Sequence, residues 1–314
     1  MAFLGIDVGT SAVKAILVSE TGDLIGSAGA PLAMSTPRPG WAEQDPEAWW
    51  RAAASAVRAL LARYPDQRIA AVGISGQMHS SVFLDRAGAV IRPALLWCDG
   101  RTTAECADIT ARAGGEARLR EWVCNPALEG FTLPKVLWLR NQEPQAFARL
   151  ATVLLPKDFI RWRLTGALST EPSDASGTLM FDPARLRWSD EILRAVGVDR
   201  ALLPPVHGSA EVHGRITADA AAATGLPVGT PVVGGGADNA CGAAGVGAIV
   251  PGEAVASWGT SGTLLAPTAE PLVDPRLRVH TFCHVLPQMW YVMGVVLSAG
   301  GAFAWFRDQF ARDL

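Results

Sequence analysis

The chain has 314 residues, 49% hydrophobic and 18% charged, with a formal net charge of −3. That is enough for two globular domains, and it excludes the basic field that nucleic acid or an anionic membrane surface would need. No apolar run reaches the ~18 residues needed to span a bilayer, and the N-terminus lacks a basic segment followed by an apolar one, so a cytoplasmic protein is predicted. The five cysteines are odd in number and show no Cys-x-x-Cys spacing, which argues against a disulfide framework or a zinc site. Only Lys14, Lys135 and Lys157 of the 27 basic residues are lysines. A compact ammonium on a flexible stem suits phosphate contact, so these three mark positions to examine.

In chain order, Phe3 to Asp7 reads as a buried strand ending in an acid, and Val13 to Val18 as its hairpin partner across the turn Val8-Gly9-Thr10-Ser11-Ala12. A third strand is expected at Leu24 to Ala28. Asp45 reads as an N-cap with Pro46 in the first helical position, and Trp49, Trp50, Ala53, Val57, Leu60 and Leu61 form the apolar stripe of a helix. Ile69 to Ser75 is a strand that delivers Gly76-Gln77-Met78-His79, the kind of polar strand end where an open α/β sheet binds its ligand. A further hairpin is expected at Phe83 to Val90. Val232-Val233 then runs into Gly234-Gly235-Gly236, where backbone can approach a ligand closely, and Asp238 follows as a candidate base. The same residues also read as a glycine turn with Asp238 capping a helix.

The hydroxyl turn recurs at Ser257-Trp258-Gly259-Thr260-Ser261-Gly262 between two strands. Turn amides and hydroxyls hold phosphate oxygens, and a strand-end carboxylate holds Mg²⁺ directly or through water. Two matching hairpins a domain's length apart resemble the superfamily of sugar kinases, heat-shock ATPases and actin. There, two ribonuclease H-like domains face each other across an ATP cleft.

Gly130 to Gln142 matches the first signature of the FGGY carbohydrate kinase family. Leu155-Pro156-Lys157-Asp158, Ser173 to Thr178, Gly234 to Asn239 and His280 to His284 extend the likeness over nearly the whole chain, and it is most similar to the bacterial xylulokinase-type members. The resemblance implies an α/β protein of the actin-like ATPase, ribonuclease H-like type. A complete sugar-binding domain would occupy residues 1–245, and 246–314 would be the start of a nucleotide-binding domain left incomplete, its last helix at 301–310 without a covering layer.

The implied reaction is ATP-dependent phosphorylation of D-xylulose to D-xylulose 5-phosphate, with ATP and Mg²⁺ as cofactors. Asp238 would be the general base. Gln77, Met78, His79, Asp238 and Asn239 would line the ketose pocket. Gly9, Thr10, Ser11 and Lys14 would face the phosphates from one side and Gly259, Thr260, Ser261 and Gly262 from the other, with Asp7 organising the metal. Met78 and His79 argue against glycerol and towards a pentulose. Two alternatives stand beside this reading: a kinase for another sugar or polyol such as ribulose, and an inactive sugar-binding remnant. A homodimer is left open.

Overall fold

The computed structural model describes residues 1–259 and 261–311. Its main sheet begins with three antiparallel strands, β1 (Ala2–Val8), β2 (Ala12–Ser19) and β3 (Leu24–Pro31). Strict alternation sets their faces: Leu4, Ile6, Val8, Val13, Ala15 and Leu17 are buried, while Asp7 and Lys14 stand opposite each other on the other face. The helix α1 (Pro46–Arg63) covers the buried face. The Asp45 carboxylate accepts from the Glu47 N–H at 3.0 Å, Pro46 needs no donor partner in the first turn, and Trp49, Ala53, Val57 and Leu60 point into the core. Burying such side chains contributes about 1.5–3 kcal/mol for each large one.

The sheet is completed by β4 (Ile69–Gly76), β5 (Val212–Arg215) and β6 (Pro231–Val233), in the order β5-β6-β4-β1-β2-β3. A two-residue strand, β7 (Gly236–Ala237), also pairs with β4. β4 is parallel to β1 on one side and to β6 and β7 on the other. The carboxyl ends of β1, β4 and β7 therefore converge, with Val8 and Ala237 both registered on Gly76.

The helix α2 (Thr132–Gln142) contributes to the neighbouring apolar cluster, α3 (Pro156–Thr165) packs beside this sheet, and α4 (Asp238–Gly245) starts directly after β7. A second antiparallel sheet has the order β8-β9-β11-β10, from β8 (Val255–Trp258), β9 (Gly262–Thr268), β10 (His280–Cys283) and β11 (Trp290–Val296). Its Leu265, Phe282, Tyr291 and Met293 join the same apolar cluster as Leu133, Val136 and Phe181. The last helix, α5 (Gly300–Phe310), buries none of its side chains, and Phe303, Trp305 and Phe310 stand exposed on it. Among the described residues no helix is long and apolar enough to cross a membrane.

Two local expectations change. The hairpin at Phe83 to Val90 shrinks to a bridge between Leu84 and Val90, because the strand Val82–Leu84 pairs instead with Thr152–Leu154. Asp238 does not cap α4: Ala237 is the N-cap and makes no side-chain bond, so the carboxylate is left for other work.

Gly235 lies between β6 and β7 with φ +73°, and a Cβ there would sit 1.8 Å from the Ile74 carbonyl oxygen. Gly235→Ala is expected to cost more than the ~1–2 kcal/mol of a left-handed backbone alone, because β4 itself must move. A urea unfolding midpoint unchanged from the native chain would contradict this placement.

Candidate active site

The converging strand ends bring two acids to one place. Asp7 on β1 and Gly236 on β7 are both registered on Ser75 of β4, so their backbones lie two strand spacings apart, roughly 10 Å. Asp238 follows two residues after Gly236. The Ser75 hydroxyl donates to Asp7 Oδ1 at 2.8 Å. The turn after β1 is closed by the Gly9 N–H donating to the Ala12 carbonyl at 3.1 Å, and a Cβ on Gly9 would crowd that carbonyl at 3.0 Å and Asp7 Oδ2 at 3.6 Å. A side chain there would fill the space in front of the carboxylate. Lys14 is exposed on the same face as Asp7, and Ser11 is exposed at the turn.

Asp238 is half-buried at the start of α4. Its Oδ1 accepts from the Asn239 backbone N–H at 2.7 Å and from Asn239 Nδ2 at 3.0 Å, while Oδ2 has no protein partner among the described residues. Burial raises its pKa to about 7. The Asn239 N–H works against that rise, and the negative charge of Asp7 adds to it. One free oxygen on a carboxyl that titrates near neutrality is what a general base requires.

The proposed sugar residues divide. Met78 is buried, and its Sδ receives Asn239 Nδ2 and the Tyr291 hydroxyl, each at 3.8 Å. His79 is half-buried with φ +68°, a conformation that turns the chain sharply after β4. Its Nδ1 lies 2.5 Å from the Gly177 carbonyl, and burial lowers its pKa to about 3, so the ring is neutral. Gln77 instead turns inward. Its Nε2 donates to Gly9 O and Gln44 Oε1, and its Oε1 accepts from Ser80 and Thr10. That amide is spent on holding the turn and does not line the pocket. The Thr10 hydroxyl is likewise engaged, accepting from Trp97 Nε1 at 3.0 Å.

Neither buried lysine is free to meet phosphate. Lys135 donates to the carbonyls of Glu129, Gly130 and Phe131. Burial lowers its pKa to about 7, with the charge of Asp99 working against that fall. Lys157 centres a sealed ionic network, 2.7 Å from Asp158, 3.3 Å from Glu171 and 3.4 Å from Asp174. Burial works against its charge, but these carboxylates outweigh it and hold its pKa above the ordinary value. Arg161 pairs with Asp158 at 2.9 Å and donates to the Gly234 carbonyl at 3.0 Å.

Burial and the neighbouring acids push Asp174 well up, and its oxygens make no hydrogen bond. Protonating it leaves Lys157 and Arg161 facing Asp158 and Glu171. The network reaches the site through Ser173, whose hydroxyl donates to Glu171 and accepts the Ala237 N–H at 2.9 Å.

The later hairpin forms as expected, with Trp258 paired to Gly262 across the turn. Gly259 is exposed, its N–H donating to the Ser261 carbonyl. Thr260 lies outside the described residues. Of three residues that sequence reasoning gave no role, Phe282 packs on His79, Tyr291 meets the Met78 sulfur, and His280 stacks on Phe282. The only signal for them was their place in or near the run His280 to His284.

These features have counterparts. Residues 2–245 match the N-terminal domain of the FGGY family of carbohydrate kinases, and the chain belongs to that family. It is 43% identical over 303 residues to the xylulose kinase of Escherichia coli (strain K12), covering 96% of this chain and 62% of that protein. The crystal structure of xylulose kinase from Rhodospirillum rubrum superimposes with a TM-score of 0.94 at 31% identity, over 100% of this chain and 64% of that one. A gluconate kinase from Lactobacillus acidophilus gives a TM-score of 0.93 at 26% identity, over 99% and 63%. The chain thus spans less than two thirds of the length of these relatives.

Lys157→Met removes one side of the buried network and leaves Glu171 without its cation. The expected loss is about 3–5 kcal/mol in denaturant unfolding. A loss below about 1 kcal/mol would mean that the network contributes little to holding Ala237 in place.

Proposed function

We propose that this site phosphorylates a ketose at the expense of ATP, with D-xylulose as substrate and D-xylulose 5-phosphate as product. The observation that carries the proposal is Asp238, one oxygen held by Asn239 and the other free, with a pKa of about 7 and Asp7 facing it across β4. The free Oδ2 accepts the proton of a terminal sugar hydroxyl as that oxygen bonds to the γ-phosphorus. The bond from the γ-phosphorus to the β-γ bridging oxygen breaks, and ADP leaves with that electron pair.

Asp7 and the open cradle at Gly9 fit a hydrated Mg²⁺ carried in on phosphates: among the described residues no group of three acidic, histidine or cysteine ligands could hold a metal alone. Such an ion supplies charge neutralisation on the phosphoryl oxygens. Ser11, Lys14 and the open space at Gly9 would face the phosphates from the first hairpin, and Gly259, Ser261 and Gly262 from the second. Met78, His79 and Asn239 would line the ketose, with 1–245 as the sugar-binding domain and the remainder beginning the nucleotide-binding one. The likeness to a gluconate kinase favours a second reading, phosphorylation of another open-chain sugar.

A coupled ADP-release assay with D-xylulose, D-ribulose, gluconate and glycerol separates these readings, and D-xylulose is expected to give the highest kcat/KM. Asp238→Asn should lower kcat by about 10²–10⁴-fold while ketose binding persists. The base acts ionised, so the rate should be full above pH 7 and fall about tenfold per pH unit below it. An Asp238→Asn variant at native rate would overturn the assignment, as would a rate independent of pH between about 5.5 and 8.5.

A further inference from the structure

We propose that His280 is a second sugar-recognising imidazole, accepting a substrate hydroxyl at Nε2 from the aromatic wall it shares with His79. The inference rests on the ketose reading of this site and adds to it a specificity residue from the second sheet.

Alternation along β10 puts His280 and Phe282 on one face, and Phe282 is paired across the sheet with Tyr291. Phe282 and Tyr291 are fully buried, whereas His280 is half-buried. The same two rings hold both imidazoles. His280 stacks on Phe282 with centroids 5.5 Å apart and planes 22° apart, and meets Phe131 edge-on at 5.5 Å. His79 tilts against Phe131 at 4.9 Å and Phe282 at 5.9 Å.

The hydrogen bonds fix which nitrogen of each ring carries the proton. A carbonyl only accepts, so His79 Nδ1, 2.5 Å from Gly177 O, is the donor and its Nε2 carries a lone pair. His280 Nδ1 lies 3.1 Å from Asn125 Oδ1. The orientation of that amide is settled by its other bonds: Nδ2 donates to the carbonyls of Thr281 at 2.8 Å and Val123 at 3.3 Å, and Oδ1 accepts the Thr281 N–H at 3.2 Å. His280 Nδ1 is therefore also a donor, and its Nε2 also an acceptor. Neither Nε2 has a protein partner among the described residues, and neither is sealed from solvent.

Burial lowers the pKa of His280 to about 4, so it stays neutral under ordinary conditions and keeps the lone pair. Two neutral acceptors on one aromatic wall, whose Tyr291 hydroxyl meets the same Met78 sulfur as Asn239 Nδ2, suit a ligand with several hydroxyl donors along a short carbon chain. They give nothing to an anion or to an apolar ligand.

The test is calorimetric titration of the whole chain with D-xylulose, in the native form and in His280→Phe and His280→Gln. Phe keeps the stacking and loses the acceptor, while Gln offers a carbonyl oxygen near the position of Nε2. His280→Phe should weaken D-xylulose binding about tenfold or more while still unfolding cooperatively, its melting temperature lowered only by the lost bond to Asn125, and His280→Gln should recover a substantial part of the binding. Of the 3-deoxy and 4-deoxy analogues, one should bind the native chain and His280→Phe equally, since it lacks the hydroxyl that His280 receives. Equal D-xylulose binding by His280→Phe and the native chain would overturn the proposal and leave the ketose reading intact. A native chain that binds no ketose would overturn both.

Discussion

Asp7 and Asp238 carry like charges, and the backbone holds them together although neither side chain gains by it. The agent is the parallel register of β1 and β7 on the two sides of β4, which fixes Val8 and Ala237 opposite the same Gly76. About 10 Å of strand spacing between the two backbones leaves room for a phosphoryl group between the carboxylates. The cost falls on Asp238. Its carboxyl ionises near 3.8 when unfolded and near 7 when folded, so stability is given up as pH rises through that interval and is not regained above it. A carboxyl placed this way trades stability for titration near neutral pH.

Such a placement needs support from beneath, and the buried ionic network provides it. Arg161 holds the Gly234 carbonyl, and Ser173 joins Glu171 to the Ala237 N–H, so both ends of the glycine run are tied to the same set of charges. A network of this kind is poor evidence for net stability, because desolvating its members costs as much as their attraction returns. Its value here is geometric. The Gln44 and Gln77 amides do the same for the first hairpin, binding Gly9 and Thr10 from the buried side. The turn after β1 and the glycine run are thereby both held in fixed positions.

Much of this could be read from residue order alone. Strand-end acids, a proline after a capping aspartate and glycines next to an acid are local signals, and β1, β2, α1, β4 and α4 follow from them. Destinations could not be read. Lys135 and Lys157 stood out only as positions to examine, because an exposed and a buried ammonium have the same letter; packing reveals that one meets three carbonyls and the other three carboxylates. Gln77 lies next to Met78 and His79 in sequence, yet its amide is taken up by Gly9, Thr10, Gln44 and Ser80, a destination that residue order does not reveal. The acceptor character of His280 depends on Asn125, 155 residues earlier, and no pattern of neighbours carries that information.

The central claim is that burial at the converging strand ends, with the Asp7 charge adding to it, brings the Asp238 carboxyl to titrate near neutral pH. It is tested most directly by following the Asp238 side-chain carboxyl carbon by NMR through a pH titration, in the native chain and in Asp7→Asn. The account predicts a midpoint of about 7 in the native chain and a lower one once the Asp7 charge is gone. A native midpoint at the ordinary carboxylate value of 3.8, or one that Asp7→Asn leaves in place, would contradict it.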